Sequence, residues 1–250
     1  MAIRPIPGGN GDKYVPYDKR SGDTSIVFFT RDLSEEGMIK IYEKVSSVLE
    51  GKIAIKLHTG EAEGPNIIPR PWVRNLIEKK LPDANIVETN TYYEGSRYTT
   101  EQHRQILKIN GWDFCPVDIT DENGVATLPI KGGKWFKEMH VGENLLNYES
   151  LLVLTHFKGH TMGGFGGSNK NIGIGCADGR IGKALIERVE TRHGLRQLSY
   201  MKELGMGNDL YTLIDIDNGD KEITATEAVK DVEPIWKPDK YNVFWGRNKH

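Results

Sequence analysis

Residues 155–183 concentrate side chains that can do chemistry. Their sequence is THFKGHTMGGFGGSNKNIGIGCADGRIGK, with two histidines, three lysines, an arginine, a cysteine and nine glycines. Imidazoles transfer protons and ligate metals near neutral pH, and lysines attract anions. Glycines adopt positive φ and let backbone N–H groups approach an anion closely. The stretch therefore predicts a glycine-rich, anion-binding loop, although a tight strand-to-helix turn would also need glycines.

Two histidines of this stretch have a spacing used in metal sites. His156 and His160 form H-x-x-x-H, which on a helix places both imidazoles on one face. The residues between them follow an apolar run and precede glycines, which disfavours a helix and a zinc site. If the chain binds a metal, His156 and His160 are the candidate ligands. Neither Gly-Lys-Ser/Thr nor G-x-G-x-x-G occurs here, so the nucleotide-binding fingerprints are absent.

The elements that must position these residues alternate between strands and helices. Strands are predicted at 25–30, 52–58, 84–90, 150–157 and 210–216, and helices at 34–51, 71–81, 99–111, 182–194 and 195–207. Such alternation is typical of an α/β, Rossmann-like fold, a mostly parallel sheet with helices on both faces. The continuous apolar run 150–157 predicts a strand buried on both faces. Asn-Gly and Gly-Gly pairs within 119–136 predict a hairpin excursion.

Local signals mark the ends of the predicted helices. Ser34 is a candidate N-cap, Pro71 opens the second helix, and Gly51 and Gly111 follow helix ends. The predicted organisation is an N-terminal arm at 1–24, a single α/β domain at 25–217 and an irregular C-terminal extension at 218–250.

Polar, mostly cationic residues follow three of the predicted strands. Ligands of open α/β sheets bind beyond the carboxyl ends of the strands. A crevice lined by these cations would suit a carboxylate or phosphate, whereas each residue alone is also explained as part of a solvated loop. The candidate substrate-binding residues are Lys56, Glu61, Asn90, Tyr93, Arg97, Lys158, Gly166, Gly167 and Asn171. His58 or His160 would move a proton, and Lys170 would be an electrostatic clamp or a cofactor-attachment site.

Three segments closely resemble a known family. KLHTGE, TNTYYEGSR and HFKGHTMGGFGGSNKNIGIGC are similar to the iron–sulfur-centre proteins of domain of unknown function 362. The likeness covers most of residues 25–180 and resumes at 187–217. The family typically carries a cysteine-rich segment, so the resemblance implies a 4Fe-4S cluster. This chain has only Cys115 and Cys176, and the cysteines for such a cluster are absent.

The run HTMGGFGGSNK more distantly resembles the catalytic domain of nickel-pincer lactate racemases. In those enzymes an acid/base histidine precedes a glycine-rich run and a lysine that holds a modified nicotinate cofactor. The resemblance implies catalytic roles for His160 and Lys170, and His58 is a further catalytic candidate.

Bulk composition restricts the partners and the compartment. The formal charge of -2 and the pI near 6.4 provide no basic field for nucleic acid. The apolar runs are too short to span a membrane. Two cysteines and an N-terminus without a hydrophobic signal core favour a cytoplasmic protein. A small anionic molecule is the expected partner, and a homo-oligomer is left open.

Two functions from different classes remain open. The first is an enzyme, an isomerase or an oxidoreductase, acting on a small anionic substrate at a carbon that bears oxygen. The second is a non-catalytic ligand-binding or electron-transfer accessory module that lacks its own cluster.

Overall fold

The computed structural model describes residues 25–64, 66–131, 133, 136–160, 164–193, 211–223 and 227. The predicted arm at 1–24, the predicted helix at 195–207 and most of the predicted extension therefore lie outside the described residues. The strands are β1 Ser25–Phe29, β2 Ile53–Lys56, β3 Asn85–Glu88, β4 Val117–Ile119, β5 Val125–Pro129, β6 Glu138–Gly142, β7 Ser150–Val153, β8 Lys158–His160, β9 Gly164–Gly166, β10 Tyr211–Asp215 and β11 Lys221–Ile223. The α-helices are α1 Glu35–Val45, α2 Arg70–Lys80, α3 Thr100–Ile109, α4 Ser168–Gly173 and α5 Gly182–His193.

A four-stranded, all-parallel sheet forms the centre of the protein, in the order β4-β3-β2-β7. The predicted α/β class is confirmed. The carboxyl ends of all four strands meet at one edge, because parallel strands end on the same side. β7 lies at the outside of this sheet and is only half-buried along its length, so the prediction of a strand buried on both faces is wrong.

Helices cover both faces of this sheet. Ile55 and Leu57 point into a core shared with α2 and α3, which contribute Val73, Leu76 and Leu107. Side chains alternate along a strand, so Lys56 points to the other face. There it meets the end of α4, since a Cβ added at Gly175 would lie 2.6 Å from Lys56 Cε. A second cluster, which includes Phe136, Ala177 and Ile186, packs α5 against the β5–β6 hairpin.

The predicted helix signals at Ser34, Thr99 and Gly111 act where the sequence places them, whereas Gly51 does not end α1. The Ser34 side chain accepts from Gly37 N, and Thr99 and Gln102 form a capping box on α3. Gly111 has φ of 69°, the left-handed conformation in which helices commonly end. The α1 helix ends at Val45, well before Gly51, because a 3-10 turn at Ser46–Val48 intervenes.

β1 belongs to a separate sheet. It pairs in parallel with β10, and β11 adds an antiparallel edge to β10. The Arg31 guanidinium joins the carboxyl ends of β1 and β10 by pairing with Asp215 at 2.8 Å. Residues from the beginning and the end of the described chain therefore form one structural unit.

The predicted hairpin excursion is the antiparallel pair β5–β6. The glycine-rich stretch forms a second antiparallel pair, β8–β9, followed by the short helix α4. None of the described glycines between 164 and 182 has positive φ, so the left-handed backbone expected of the glycine-rich loop is not found in that segment. A hairpin ladder needs extended backbone, and glycine adopts it here.

Candidate functional site

A cavity of about 530 Å³ opens at the carboxyl edge of β2 and β3. The loops after β2, β3 and β7, the β8–β9 hairpin and the starts of α4 and α5 enclose it. Sequence-predicted residues that line it are Lys56, His58, Glu61, Tyr93, Arg97, His156, Lys158, Gly166, Gly167, Lys170 and Asn171. The side chain of His160 lies outside the described part of the chain, and Asn90 does not line the cavity.

A buried ion cluster forms the floor of the cavity. Lys56, 1% exposed, donates from Nζ to Glu88 Oε2 at 2.7 Å and to the Leu57 carbonyl at 2.9 Å. Glu88 Oε1 accepts from Thr59 N at 3.0 Å and lies 3.9 Å from an Arg97 nitrogen. Burial alone would raise the pKa of Glu88, but Lys56 and Arg97 outweigh it and hold that pKa far below its usual range. Glu88 is therefore a permanent carboxylate beneath the cavity.

Glu61 forms an outer carboxylate near the cavity mouth. Its oxygens accept from Arg97 at 2.5 Å, from the Tyr93 hydroxyl at 2.8 Å and from Ser96 Oγ at 3.1 Å. Burial would raise the pKa of Glu61, but these donors and the charge of Arg97 lower it to about 2. Arg97 thus links both carboxylates of the site.

Both described histidines of the cavity are held neutral at pH 7. Burial, aided by Arg97 and Lys158, lowers the pKa of His58 to about 3 even though Glu88 opposes the shift. The Nδ1 of His58 lies 3.9 Å from Glu88 Oε1. Burial and Lys158 lower the pKa of His156, whose buried Nδ1 has no hydrogen-bond partner among the described residues.

Two lysines flank the glycine hairpin at the cavity wall. Lys158 Nζ donates to the Asn66 carbonyl at 2.7 Å, and burial together with Arg97 lowers the pKa of Lys158. A Cβ added at Gly166 would lie 3.7 Å from Lys158 Cγ and 3.9 Å from Lys170 Cδ. The hairpin therefore places the stems of both lysines next to Gly166.

The comparisons with known proteins can be set against this geometry. The family model of the domain of unknown function DUF362 matches residues 53–230, more than half of the chain. The chain belongs to the DUF362 family. The match spans the four-stranded sheet and every residue that lines the cavity, whereas β1 and α1 precede it.

One solved structure shows a distant likeness to this DUF362 chain. It is the lactate racemase apoprotein from Thermoanaerobacterium thermosaccharolyticum, at 13% sequence identity and a TM-score of 0.40. The alignment covers 80% of this chain and 52% of the racemase chain, so the chain spans about half of that structure. The search of curated proteins found no match. No helix of the described residues is long and apolar enough to cross a membrane.

The sequence did not lead us to two charged residues that line the cavity, Glu88 and Lys183. Glu88 sits inside the predicted strand 84–90, and Lys183 marks the start of a helix. Lys183 Nζ donates to Thr89 Oγ1 at 2.6 Å and to the Asn90 carbonyl. Burial lowers the pKa of Lys183 to about 8, although Asp121 and Glu88 oppose the shift. A charged residue inside an apolar strand, as in NIVE, is the signal that could have found Glu88.

Two predicted substrate ligands of the DUF362 chain tie elements together. Asn90 Nδ2 donates to Thr100 Oγ1 at 3.0 Å, and Asn90 Oδ1 lies 3.3 Å from a ring nitrogen of His103. Asn171 Nδ2 donates to the Leu154 carbonyl at 3.1 Å and to Thr155 Oγ1 at 3.0 Å. Asn90 thereby anchors α3 to the end of β3, and Asn171 anchors α4 to the end of β7.

The cysteines of this DUF362 chain do not fit a 4Fe-4S cluster. Cys115 packs against the core beside α2, whereas buried Cys176 lies on the opposite face, near Lys56. Burial raises the pKa of Cys115 to about 11 and also raises that of Cys176, so both thiols are protonated at neutral pH. Within the described residues, no group of three or more metal-ligating side chains comes together. The candidate pair His156 and His160 stays a prediction, because only the first side chain is described.

Proposed function

We propose that the cavity at the carboxyl edge of the sheet binds a small organic anion through its carboxylate or phosphate group. Five cationic side chains line the cavity against three carboxylates, which leaves a net formal charge of +2 with neutral histidines. The cations are Lys56, Arg97, Lys158, Lys170 and Lys183, and the carboxylates are Glu61, Glu88 and Glu187.

The observation that carries this proposal is the set of partners of Lys158 and Lys183. The carboxylates of Glu88 and Glu61 are engaged by Lys56 and Arg97. Lys158 and Lys183 donate instead to uncharged oxygens, a carbonyl for the first and a hydroxyl and a carbonyl for the second. Their positive charges are desolvated without a hydrogen-bonded counter-ion in the described contacts. A bound anion would supply that counter-ion.

The neutral imidazole of His58 adds a proton acceptor to this site. It lines the cavity, and its Nδ1 lies near Glu88. The pKa of about 3 makes this imidazole a weak base at neutral pH, so proton transfer by His58 in an isomerase or oxidoreductase reaction stays a prediction within this proposal. His160 and Lys170 keep their predicted catalytic roles within this proposal.

Calorimetric titration with phosphate and with propionate tests anion binding, with propionamide as the uncharged match for propionate. We expect at least one anion to bind and propionamide to bind at least about tenfold more weakly, because a charge-assisted hydrogen bond is worth about 1.5–3 kcal/mol. Lys158→Met should weaken anion binding by a similar factor. Lys79→Met, which changes an exposed lysine of α2, should leave it unchanged. Equal affinity for propionate and propionamide, or no binding of either phosphate or propionate, would contradict the proposal.

A further inference from the structure

Lys183 lies in the first turn of α5, and its helix face forms part of the cavity wall. Ile186 and Glu187 also line the cavity, and residues three and four apart share one face of a helix. The backbone N–H groups of α5 are capped by Asp178, whose carboxylate accepts from Ile181 N at 2.8 Å and from Gly182 N at 2.5 Å. The backbone that carries Lys183 is therefore held by a capped helix start.

The hydrogen bonds of Lys183 hold its amine at the edge of the sheet. Thr89 and Asn90 directly follow β3, and their hydroxyl and carbonyl oxygens accept from Nζ. Among the contacts described for Lys183, no carboxylate is within hydrogen-bond distance. Two neutral acceptors orient a lysine amine but stabilise its protonated form less than an ion pair does. Lys56, in contrast, is committed to Glu88 at 2.7 Å.

We propose that Lys183 is a nucleophile that forms an imine with the carbonyl carbon of a small oxo acid. This inference rests on the proposed function, because the cations of the cavity would bind the carboxylate of that oxo acid. Lys183 and Lys158 lie close to the same charged groups, because Arg97 lowers and Glu88 raises the pKa of both lysines. A substrate with a carboxylate and a nearby carbonyl fits this cavity wall. The cations can bind the carboxylate, and the Lys183 amine, which is less basic than an ordinary lysine, can react with the carbonyl.

The reaction needs no oxidant or reductant. The neutral amine adds to the carbonyl carbon, a C–N bond forms as the C=O π bond breaks, and one proton of the amine passes to the carbonyl oxygen, which becomes a hydroxyl. Loss of that hydroxyl as water, with one further proton, leaves a protonated C=N bond on Lys183. With the pKa of Lys183 at about 8, its neutral fraction near pH 7 exceeds that of an ordinary lysine by on the order of a hundredfold.

Reductive trapping tests this assignment on the full chain. The protein is incubated with pyruvate and cyanoborohydride at neutral pH, digested, and mapped by mass spectrometry. We expect the reduced pyruvate adduct on Lys183 to exceed the adduct on each exposed lysine, such as Lys79, at least about tenfold. Lys183→Arg, which keeps the charge and removes the nucleophile, should lose the dominant adduct, and Lys79→Arg should keep it.

Propionate, which has the carboxylate and no carbonyl, separates this inference from the proposed function. Binding of propionate without a preferred adduct on Lys183 would overturn the imine and leave anion binding in place. Failure of phosphate, propionate and pyruvate alike to bind would overturn both the imine and the proposed anion binding. Because the adduct is mapped on the wild-type chain, the result does not depend on whether Lys183→Arg folds.

Discussion

At the scale of single residues, Glu88 is the carboxylate around which the floor of the cavity is built. Its carboxylate is 3% exposed and faces Lys56, which is 1% exposed. Each charge is tolerated inside the protein only because the other compensates it. Thr59 adds two further donors to the same carboxylate. The floor of the cavity therefore depends on one glutamate inside a buried strand.

Glu88→Gln should destabilise the fold by about 3–5 kcal/mol, because it leaves the buried Lys56 without a counter-charge. Urea unfolding measures this loss. Glu78→Gln, on the exposed side of α2, should change the stability by no more than about 0.5 kcal/mol. Equal effects of the two substitutions would contradict the buried ion pair.

The shifted pKa values of the site predict a protein sensitive to acid. The pKa of His58 is about 3 and that of His103 about 4 in the fold, both lowered mainly by burial, against about 6.5 when unfolded. Below about pH 6.5 the unfolded chain binds protons that the folded chain does not, so stability falls as the pH falls. Glu61, with a pKa of about 2, adds a further loss below about pH 4.5.

Melting temperatures measured at a series of pH values from 7 downward show whether stability falls as the pH falls. His58→Gln should reduce the loss between about pH 6.5 and 4, to which His103 also contributes, and Glu61→Gln should reduce only the loss below about pH 4.5. Each variant is the control for the other. A melting temperature independent of pH between 7 and 4 would disprove these shifts.

At the scale of elements, the turn after α4 presses directly on the site. A Cβ at Gly175 would lie 2.2 Å from the Asn171 carbonyl oxygen and 2.6 Å from Lys56 Cε. The Thr89 hydroxyl also donates to the Gly175 carbonyl at 3.0 Å. Close approach between α4 and the sheet therefore requires glycine at this position.

Gly175→Ala should cost about 1–3 kcal/mol of stability, because the added methyl group must displace Lys56 or α4. It should also weaken anion binding, since Lys56 lies on the floor of the cavity. Gly95→Ala is the matched control for stability, because its added Cβ would make only ordinary contacts, at 3.7 Å. Chemical denaturation of both variants compares their free energies of unfolding. An unchanged stability of Gly175→Ala would show that α4 can move to accommodate the added methyl group.

At the scale of the whole molecule, two sheets differ in how well they are protected. β2 and β3 each pair on both sides, and their inner residues are buried. Among the strands that the structure describes, β1 and β11 each pair only with β10, and Ile26 of β1 is 64% exposed. Local openings of low free energy occur where burial is sparse.

Amide hydrogen exchange should therefore be slowest in β2 and β3 and faster in β1 and β11. Asp215→Asn, which weakens the bond to Arg31, should speed exchange in β1 and β10 and leave β2 unchanged. Asp83→Asn, an exposed change beside β3, should alter neither sheet. Uniform exchange across both sheets would mean that the protein opens as one unit.

The sequence by itself determined the alternation of strands and helices and the helix caps at Ser34 and Thr99. These features depend on residues within a few positions of one another, so local pattern is sufficient. It also placed the residues after β2, β3 and β7 at one edge, because parallel strands end together. Most of the candidate site follows from that geometric rule.

Only the tertiary structure decided which groups act together inside the cavity and how the outer strands pair. β1 pairs with β10, nearly 190 positions away, and no local signal specifies such a partner. The charge cluster on Glu88 and the weakened basicity of Lys183 arise from burial by elements far apart in the chain. Desolvation is a property of the assembled fold, so a sequence can supply the charged side chains without revealing their pKa values.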